Sequence, residues 1–123
     1  MRKPKRMINK LDVSELVYAG SIGVDSGQAM IGDPCYLDGW KPWNSEEMKF
    51  EDHNLVPGEY GYLGACNATL TKGYGQLGAA DAVVFSTGYG DGLYPVYVKL
   101  NEDGRIAMAV VDFTNELDDE EQD

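Results

Sequence analysis

The chain has 123 residues, of which 43% are hydrophobic, so it can bury the core of one domain and is not a disordered chain. Its formal net charge is −11, and residues 11–115 alone carry −10, which disfavours direct contact with nucleic acid because phosphates would be repelled. No apolar run reaches transmembrane length, and no apolar segment follows the basic start, so we expect neither a membrane span nor a secretory signal.

The charges at the two ends of the chain have opposite signs. Residues 1–10 carry +5, and residues 116–123 carry −6. These biases predict a flexible basic arm over residues 1–13, a single β-rich domain over 14–115 and a disordered acidic tail over 116–123. The acidity of the domain itself is typical of a soluble protein, and it also suits a basic protein partner.

The first regular pattern runs from Glu15 to Val24, where larger apolar residues alternate with small ones, as in a β-strand. The sequence DSG at 25–27 then predicts a three-residue hairpin loop with Gly27 in the left-handed conformation and Asp25 bonded to nearby amides. QAMIG at 28–32 is predicted to return as the second strand of this hairpin.

One short helix is predicted near 44–53, where Asn44 and Glu47 have the spacing of a capping box. Residues 59–71 are predicted as a strand, and Ala82–Thr87 as a short apolar strand. LYPVYVKL, NEDG and RIAMAVVDF, over 93–113, predict a final hairpin. The fold class expected is therefore mainly β with a minor helical part: an antiparallel sheet of hairpins, forming a sandwich or partial barrel.

Two loops combine glycine with polar and aromatic side chains: GDPCY at 32–36 and TGYGDG at 87–92. We expect these loops to lie side by side at one end of the sheet, with Asp33 and Asp91 facing a common pocket. The candidate ligand- or partner-binding residues are Asp25, Asp33, Cys35, Tyr36, Thr87, Tyr89, Asp91 and Asp112. No catalytic residue, metal ligand or cofactor is assigned.

Three other motifs have weaker interpretations. GYGQLG at 73–78 matches the dinucleotide fingerprint G-x-G-x-x-G, but no long helix can follow it, so a glycine-rich hairpin is predicted. A nucleophilic pair of Cys35 with His53 is disfavoured because His53 is predicted on a solvated helix. In a reducing compartment, Cys35 and Cys66 are expected as free thiols, and neither zinc nor calcium spacing is present.

The segments VDSGQAMIGDPCYL, 24–37, and FSTGYGDGLYPVYVKLNEDGRIAMAVVDF, 85–113, resemble a family of short uncharacterised bacteriophage and bacterial proteins. The resemblance implies a phage or prophage origin and a β-rich fold, and it implies no chemistry. It marks Asp25, Asp33, Cys35, Asp91 and Asp112 as positions that match the family pattern.

Three functional hypotheses follow. The first is a small, non-enzymatic binding protein of the cytoplasm, or of the host cytoplasm if phage-encoded, that captures a protein or a small molecule at the Gly/Asp loops. The second is an acidic inhibitor that mimics nucleic acid and blocks a basic host protein. The third is a metal-dependent hydrolase that uses clustered aspartates. A homodimer is also compatible with exposed edge strands.

Overall fold

The computed structural model describes residues 13–43 and 57–117, and these fall into two compact units. The terminal unit combines residues 13–23 with 93–117, and the central unit is Val24–Gly92. The elements are β1 (Leu16–Val24), β2 (Gln28–Gly32), α1 (Tyr62–Thr71), β3 (Tyr74–Leu77), β4 (Ala82–Ser86), β5 (Gly92–Leu100) and β6 (Ile106–Val111), with 3₁₀ helices at Val13–Glu15 and Pro34–Gly39. No helix in the described residues is long and apolar enough to cross a membrane.

The terminal unit is built on a three-stranded antiparallel sheet in the order β1-β5-β6. β5 and β6 form the predicted hairpin, with a register that runs from Val96 opposite Val111 to Leu100 opposite Ile106. Asn101 shapes the turn between them, because its Oδ1 accepts the amides of Asp103 and Arg105 at 2.9 and 3.0 Å.

The central unit contains a second three-stranded antiparallel sheet, in the order β2-β4-β3. α1 packs against β3 and β4. The side chain of Leu77 is completely buried, and Val84 is 2% exposed. The core around them also contains Tyr60, Ala65 and Ala82, and Met30, Trp40 and Ala68 pack against it. In residues 13–43 and 57–117, two three-stranded sheets and one short α-helix confirm the mainly β prediction, and these strands do not close into a barrel.

The strand predicted over residues 59–71 is wrong, because residues 62–71 form α1. The helix starts where a neighbouring segment holds it: Lys41 and Gly61 form a parallel bridge, and the Lys41 carbonyl accepts the Tyr62 amide at 2.8 Å. Gly64 makes the start compact, since a Cβ there would clash with the Glu59 carbonyl oxygen. Tertiary packing of small residues therefore overrides the local β-propensity of this segment.

The other strand predictions are confirmed, but one pairing is wrong. β1 and β2 flank the DSG turn, and Gly27 has the expected left-handed φ of 69°. The two strands do not form a hairpin, because β1 pairs with β5 and β2 pairs with β4. GYGQLG contributes β3 and the start of a β3–β4 hairpin, as predicted. The helix predicted near 44–53 lies outside the described residues, as do all but one residue of the basic arm and most of the acidic tail.

Candidate functional site

A groove of about 270 Å³ lies in the central unit, between β2, α1 and the segment that contains the 3₁₀ helix Pro34–Gly39. Its walls are mainly apolar, and they consist of Ala29, Met30, Leu37, Trp40, Ala65 and Val84. Three polar residues, Ser26, Gln28 and Tyr62, also line it. A concave apolar surface with a few convergent polar groups is typical of a small-ligand site.

Gln28 is the best-fixed polar group of this groove. Its amide lies between two side chains of α1: Oε1 is 3.1 Å from Thr69 Oγ1, and Nε2 is 3.5 Å from Cys66 Sγ. These contacts use one N–H and one lone pair, in either orientation of the amide. A primary amide has two of each, so Gln28 keeps one donor and one acceptor for a further partner.

Tyr62 stands one helical turn before Cys66, and its hydroxyl is hydrogen-bonded to that thiol. Burial raises the pKa of Tyr62 above its usual 10.0, and the charge and hydrogen bond of Cys66 raise it further. Tyr62 is therefore uncharged at neutral pH. Its ring also packs edge-on against Trp43, with the ring centroids 5.6 Å apart. The polar side of the groove is thus neutral and held in place by α1.

A larger concavity, about 690 Å³, lies in the terminal unit. Tyr18 and Tyr97 line it and meet edge-on, with centroids 6.0 Å apart, and the Tyr18 hydroxyl is 2.6 Å from Ser21 Oγ. Val13 and Leu117, the two limits of this unit's described chain, are part of its wall. The central groove is lined by the Gln28 amide, which two side chains of α1 hold in place, so we take that groove as the candidate site.

Asp33 has a local structural role. It is the N-cap of the 3₁₀ helix Pro34–Gly39, and its Oδ1 accepts the Cys35 amide at 2.9 Å. Cys35 and Tyr36 follow on the exposed surface of this short helix. The same helix carries Leu37 into the groove wall, so Asp33 positions a wall residue rather than facing the groove itself.

Asp91 joins two turns that are 64 residues apart in the sequence. Its Oδ1 accepts the Gly27 amide at 2.8 Å, so it takes the role that we expected Asp25 to play. Thr87, which is 3% exposed, closes the same loop: its hydroxyl donates to the Gly90 carbonyl at 2.9 Å, and its amide donates to the Gly27 carbonyl. The side chain of Tyr89 is exposed at the loop tip.

The expectation that Asp33 and Asp91 face one pocket is wrong. In the β2–β4 register, Gln28 lies opposite Ser86, and Gly32 lies opposite Ala82. The Thr87–Asp91 loop therefore adjoins the start of β2, whereas Asp33 follows its end, about 13 Å away along the strand. The residues that line the groove include none from either predicted loop, 32–36 or 87–92, and each carboxylate is bonded to a backbone amide.

Asp112 belongs to the terminal unit, whereas the other candidates belong to the central unit. It is 7% exposed, and its carboxylate accepts the Thr114 hydroxyl at 2.6 Å, the Thr114 amide at 2.9 Å and the Leu117 amide at 2.8 Å. Burial alone would raise the pKa of Asp112, but these hydrogen bonds, with a further one from the Asn115 amide, outweigh it and lower the pKa below its usual 3.8. Asp112 is a structural anchor for residues 113–117.

The remaining chemical hypotheses find no assembled site in the described residues. These residues contain no group of three or more His, Cys, Asp or Glu side chains that could hold a metal ion. Both cysteines are free, Cys35 on the surface and Cys66 partly buried. His53 lies outside the described residues.

Sequence reasoning missed the residues that form the groove, above all Gln28, Trp40 and Tyr62. Gln28 stands inside the VDSGQ segment, but an isolated glutamine in a strand carries no local signal of function. The nearest usable signal was the pair of tryptophans, Trp40 and Trp43, directly after the GDPCY loop. Tyr62 was unrecognisable because its helix was predicted as a strand.

Comparison with known proteins gives one match. No curated protein and no solved structure shows significant similarity to the chain. One family model matches residues 3–111, which include all of the helices and strands described above. The protein therefore belongs to the family described as "Protein of unknown function (DUF4241)".

Proposed function

We propose that this protein is a small, non-enzymatic binding protein whose ligand site is the groove of the central unit. The observation that carries the proposal is the Gln28 amide, held between Thr69 and Cys66 and lining a mainly apolar groove. The free donor and acceptor of this amide match a ligand with the same pair in reverse order, as in a primary amide or a lactam.

The shape of the groove restricts the ligand further. About 270 Å³ is just below the usual range for small-molecule sites, so the ligand is small. Trp40, Met30 and Leu37 provide an apolar and partly aromatic wall, which suits a flat ring. The described residues that line the groove include no charged side chain, which favours a neutral ligand over an ion.

A cytoplasmic location and a phage origin remain parts of this proposal. The free cysteines support a reducing compartment, and the resemblance of residues 24–37 and 85–113 to phage proteins supports the origin. The metal-dependent hydrolase is not favoured, because Asp33 and Asp91 are each occupied by a backbone amide.

Benzamide is a direct probe of the groove, because it combines a flat apolar ring with a primary amide. We expect its addition to shift the NMR signal of the Trp40 indole N–H. We expect a Kd in the millimolar range, which corresponds to a binding free energy of about 4 kcal/mol for a ligand of nine heavy atoms. Gln28→Met keeps the side-chain length but removes the amide, and we expect it to weaken binding roughly fivefold.

Gln76→Met is the matched control, because Gln76 is an exposed residue of β3 that does not line the groove. It should bind benzamide as the unmodified chain does. Methyl benzoate, which lacks the N–H donors, should bind more weakly than benzamide. Equal binding of the two compounds, or benzamide binding that leaves the Trp40 signal unmoved, would contradict the proposal.

A further inference from the structure

The outer edge of β6 is unusually open to pairing. β6 is a terminal strand of its sheet, and in the described residues no other strand pairs with its outer side. Its six side chains, Ile-Ala-Met-Ala-Val-Val, include no charge, no glycine and no proline. Ile106 is 65% exposed and Met108 is 41% exposed. Proteins usually protect such an edge with charges, prolines or a covering element.

The register shows which backbone groups this edge offers. The Asp112 amide donates to the Pro95 carbonyl at 3.1 Å, so Pro95 and Asp112 are a hydrogen-bonded pair. The pair two residues further along is Tyr97 with Val110, and the next is Lys99 with Met108. In an antiparallel pair the hydrogen-bonded positions alternate, so Met108 and Val110 turn their backbone groups towards β5. Ala109 and Val111 therefore direct their N–H and C=O groups outwards, where another strand could use them.

The other sheet edges are less suitable for an added strand. β2 and β3 have only five and four residues, and short edges give a partner few hydrogen bonds. β1 is longer, but Gly20 has a φ of 152°, which interrupts a regular row of donors and acceptors. The pairing of β6 with β5 has a register shift between Lys99 and Leu100, and beyond it the register is regular over 108–111, which is the part of β6 that offers an outward row.

The charge around β6 indicates the kind of partner. Glu102 and Asp103 are exposed in the turn before β6, where Arg105 is the one cation, and Glu116 is exposed in the segment after it. Five further acids follow Glu116 in the sequence, and the whole chain carries −11. A second copy of the chain would bring acidic ends against acidic ends in an antiparallel pairing, whereas a basic segment would be attracted at both ends.

We propose that β6 binds an extended segment of a basic partner protein by β-strand addition, with an apolar centre on the strand and lysine or arginine on both flanks. Backbone hydrogen bonds to Ala109 and Val111 supply the docking, and the flanking acids supply the charge selection. This surface belongs to the terminal unit and is argued independently of the groove, so either proposal can fail without the other.

The probe is a synthetic peptide, Lys-Lys-Thr-Val-Thr-Val-Thr-Val-Lys-Lys, compared with the same core flanked by glutamates. We expect the lysine-flanked peptide to bind at least tenfold more tightly, and its affinity to fall severalfold between 50 and 300 mM salt. Hydrogen exchange locates the contact: the amides of Ala109 and Val111 should exchange at least tenfold more slowly with saturating peptide. Those of Met108 and Val110, already bonded to β5, should change little.

Ala109→Pro removes one outward donor without touching the bonds to β5, and we expect it to weaken peptide binding at least tenfold. Ala109→Val keeps the donor and should bind as the unmodified chain does. Three results would overturn the proposal: no binding at 1 mM peptide, equal binding of both peptides, or unchanged exchange at Ala109 and Val111. A dimer in light scattering that Ala109→Pro dissociates would also overturn it, because β6 would then pair with a second copy.

Discussion

Asp112→Asn tests whether this carboxylate holds the C-terminal segment. The change keeps the shape of the side chain, and the amide oxygen can still accept from Thr114. The other oxygen becomes an NH₂ group that faces the Leu117 N–H at 2.8 Å, so one charge-assisted hydrogen bond is replaced by two opposed donors. For a group that is 7% exposed, we expect a loss of about 2–3 kcal/mol in the free energy of unfolding.

The same substitution has a predictable dependence on pH. Hydrogen bonds hold the pKa of Asp112 below 3.8 in the folded protein, so its stabilisation is fully present above that value. As the pH falls from about 4 through the folded pKa, protonation removes the stabilisation. The difference in stability between the natural chain and the Asp112→Asn variant should therefore be largest at pH 7 and smaller near pH 3.

Urea unfolding followed by circular dichroism at both pH values measures this difference, and a loss of 2–3 kcal/mol corresponds to a melting temperature lower by roughly 8–12 °C. Asp103→Asn is the matched control, because Asp103 is exposed in the β5–β6 turn, and it should change stability by less than about 0.5 kcal/mol. A loss at Asp112 below about 1 kcal/mol at pH 7, or one that does not shrink at pH 3, would refute the reasoning.

Two further substitutions test the local structure of the central unit. Asp91→Ala removes the acceptor for the Gly27 amide and should cost about 1–2 kcal/mol in thermal unfolding, whereas Asp25→Ala should cost almost nothing; equal melting temperatures would argue against the bond. Gly64→Ala places a Cβ against the Glu59 carbonyl and should cost about 3 kcal/mol, although alanine normally favours a helix. Gly39→Ala is the control, because the space around Gly39 is open, and it should leave the free energy of unfolding unchanged. An unchanged stability of the Gly64 variant would mean that the backbone at the helix start moves easily to admit the Cβ.

The strands could be predicted because their signal is local. In β5 and β6 an alternating pattern is joined by a turn whose residues, Asn101 and Gly104, have the conformations that the turn requires. The positions of β1, β2 and β4 followed in the same way. The hairpin predicted between β1 and β2 is wrong because β2 pairs with β4, whose residues lie 50 or more positions later in the sequence, and no local pattern indicates that pairing.

The helix and the site depended on information that no short window contains. α1 has apolar or small residues on all sides, so it lacks the periodicity that distinguishes a surface helix from a strand. Its start depends on Lys41 and its compactness on the approach of Gly64 to Glu59. Gln28 became recognisable only through Thr69 and Cys66 of this helix. Asp25, Asp33 and Asp91 lie in turns or loops, as predicted, and the carboxylates of Asp33 and Asp91 bond to backbone amides there.

The bond between Asp91 and Gly27 changes how the two recognisable stretches of this sequence should be interpreted. The segments VDSG and TGYGDG are joined by this bond and together form one structural unit, the clasp, in which each turn needs the other. A search for relatives that finds both segments therefore detects a single feature. The presence of both segments in a relative would then indicate that the fold is conserved, and it would give no information about the ligand. Differences of specificity among relatives would be sought instead at the positions of Leu37, Trp40 and Tyr62, which are free to vary without opening that clasp.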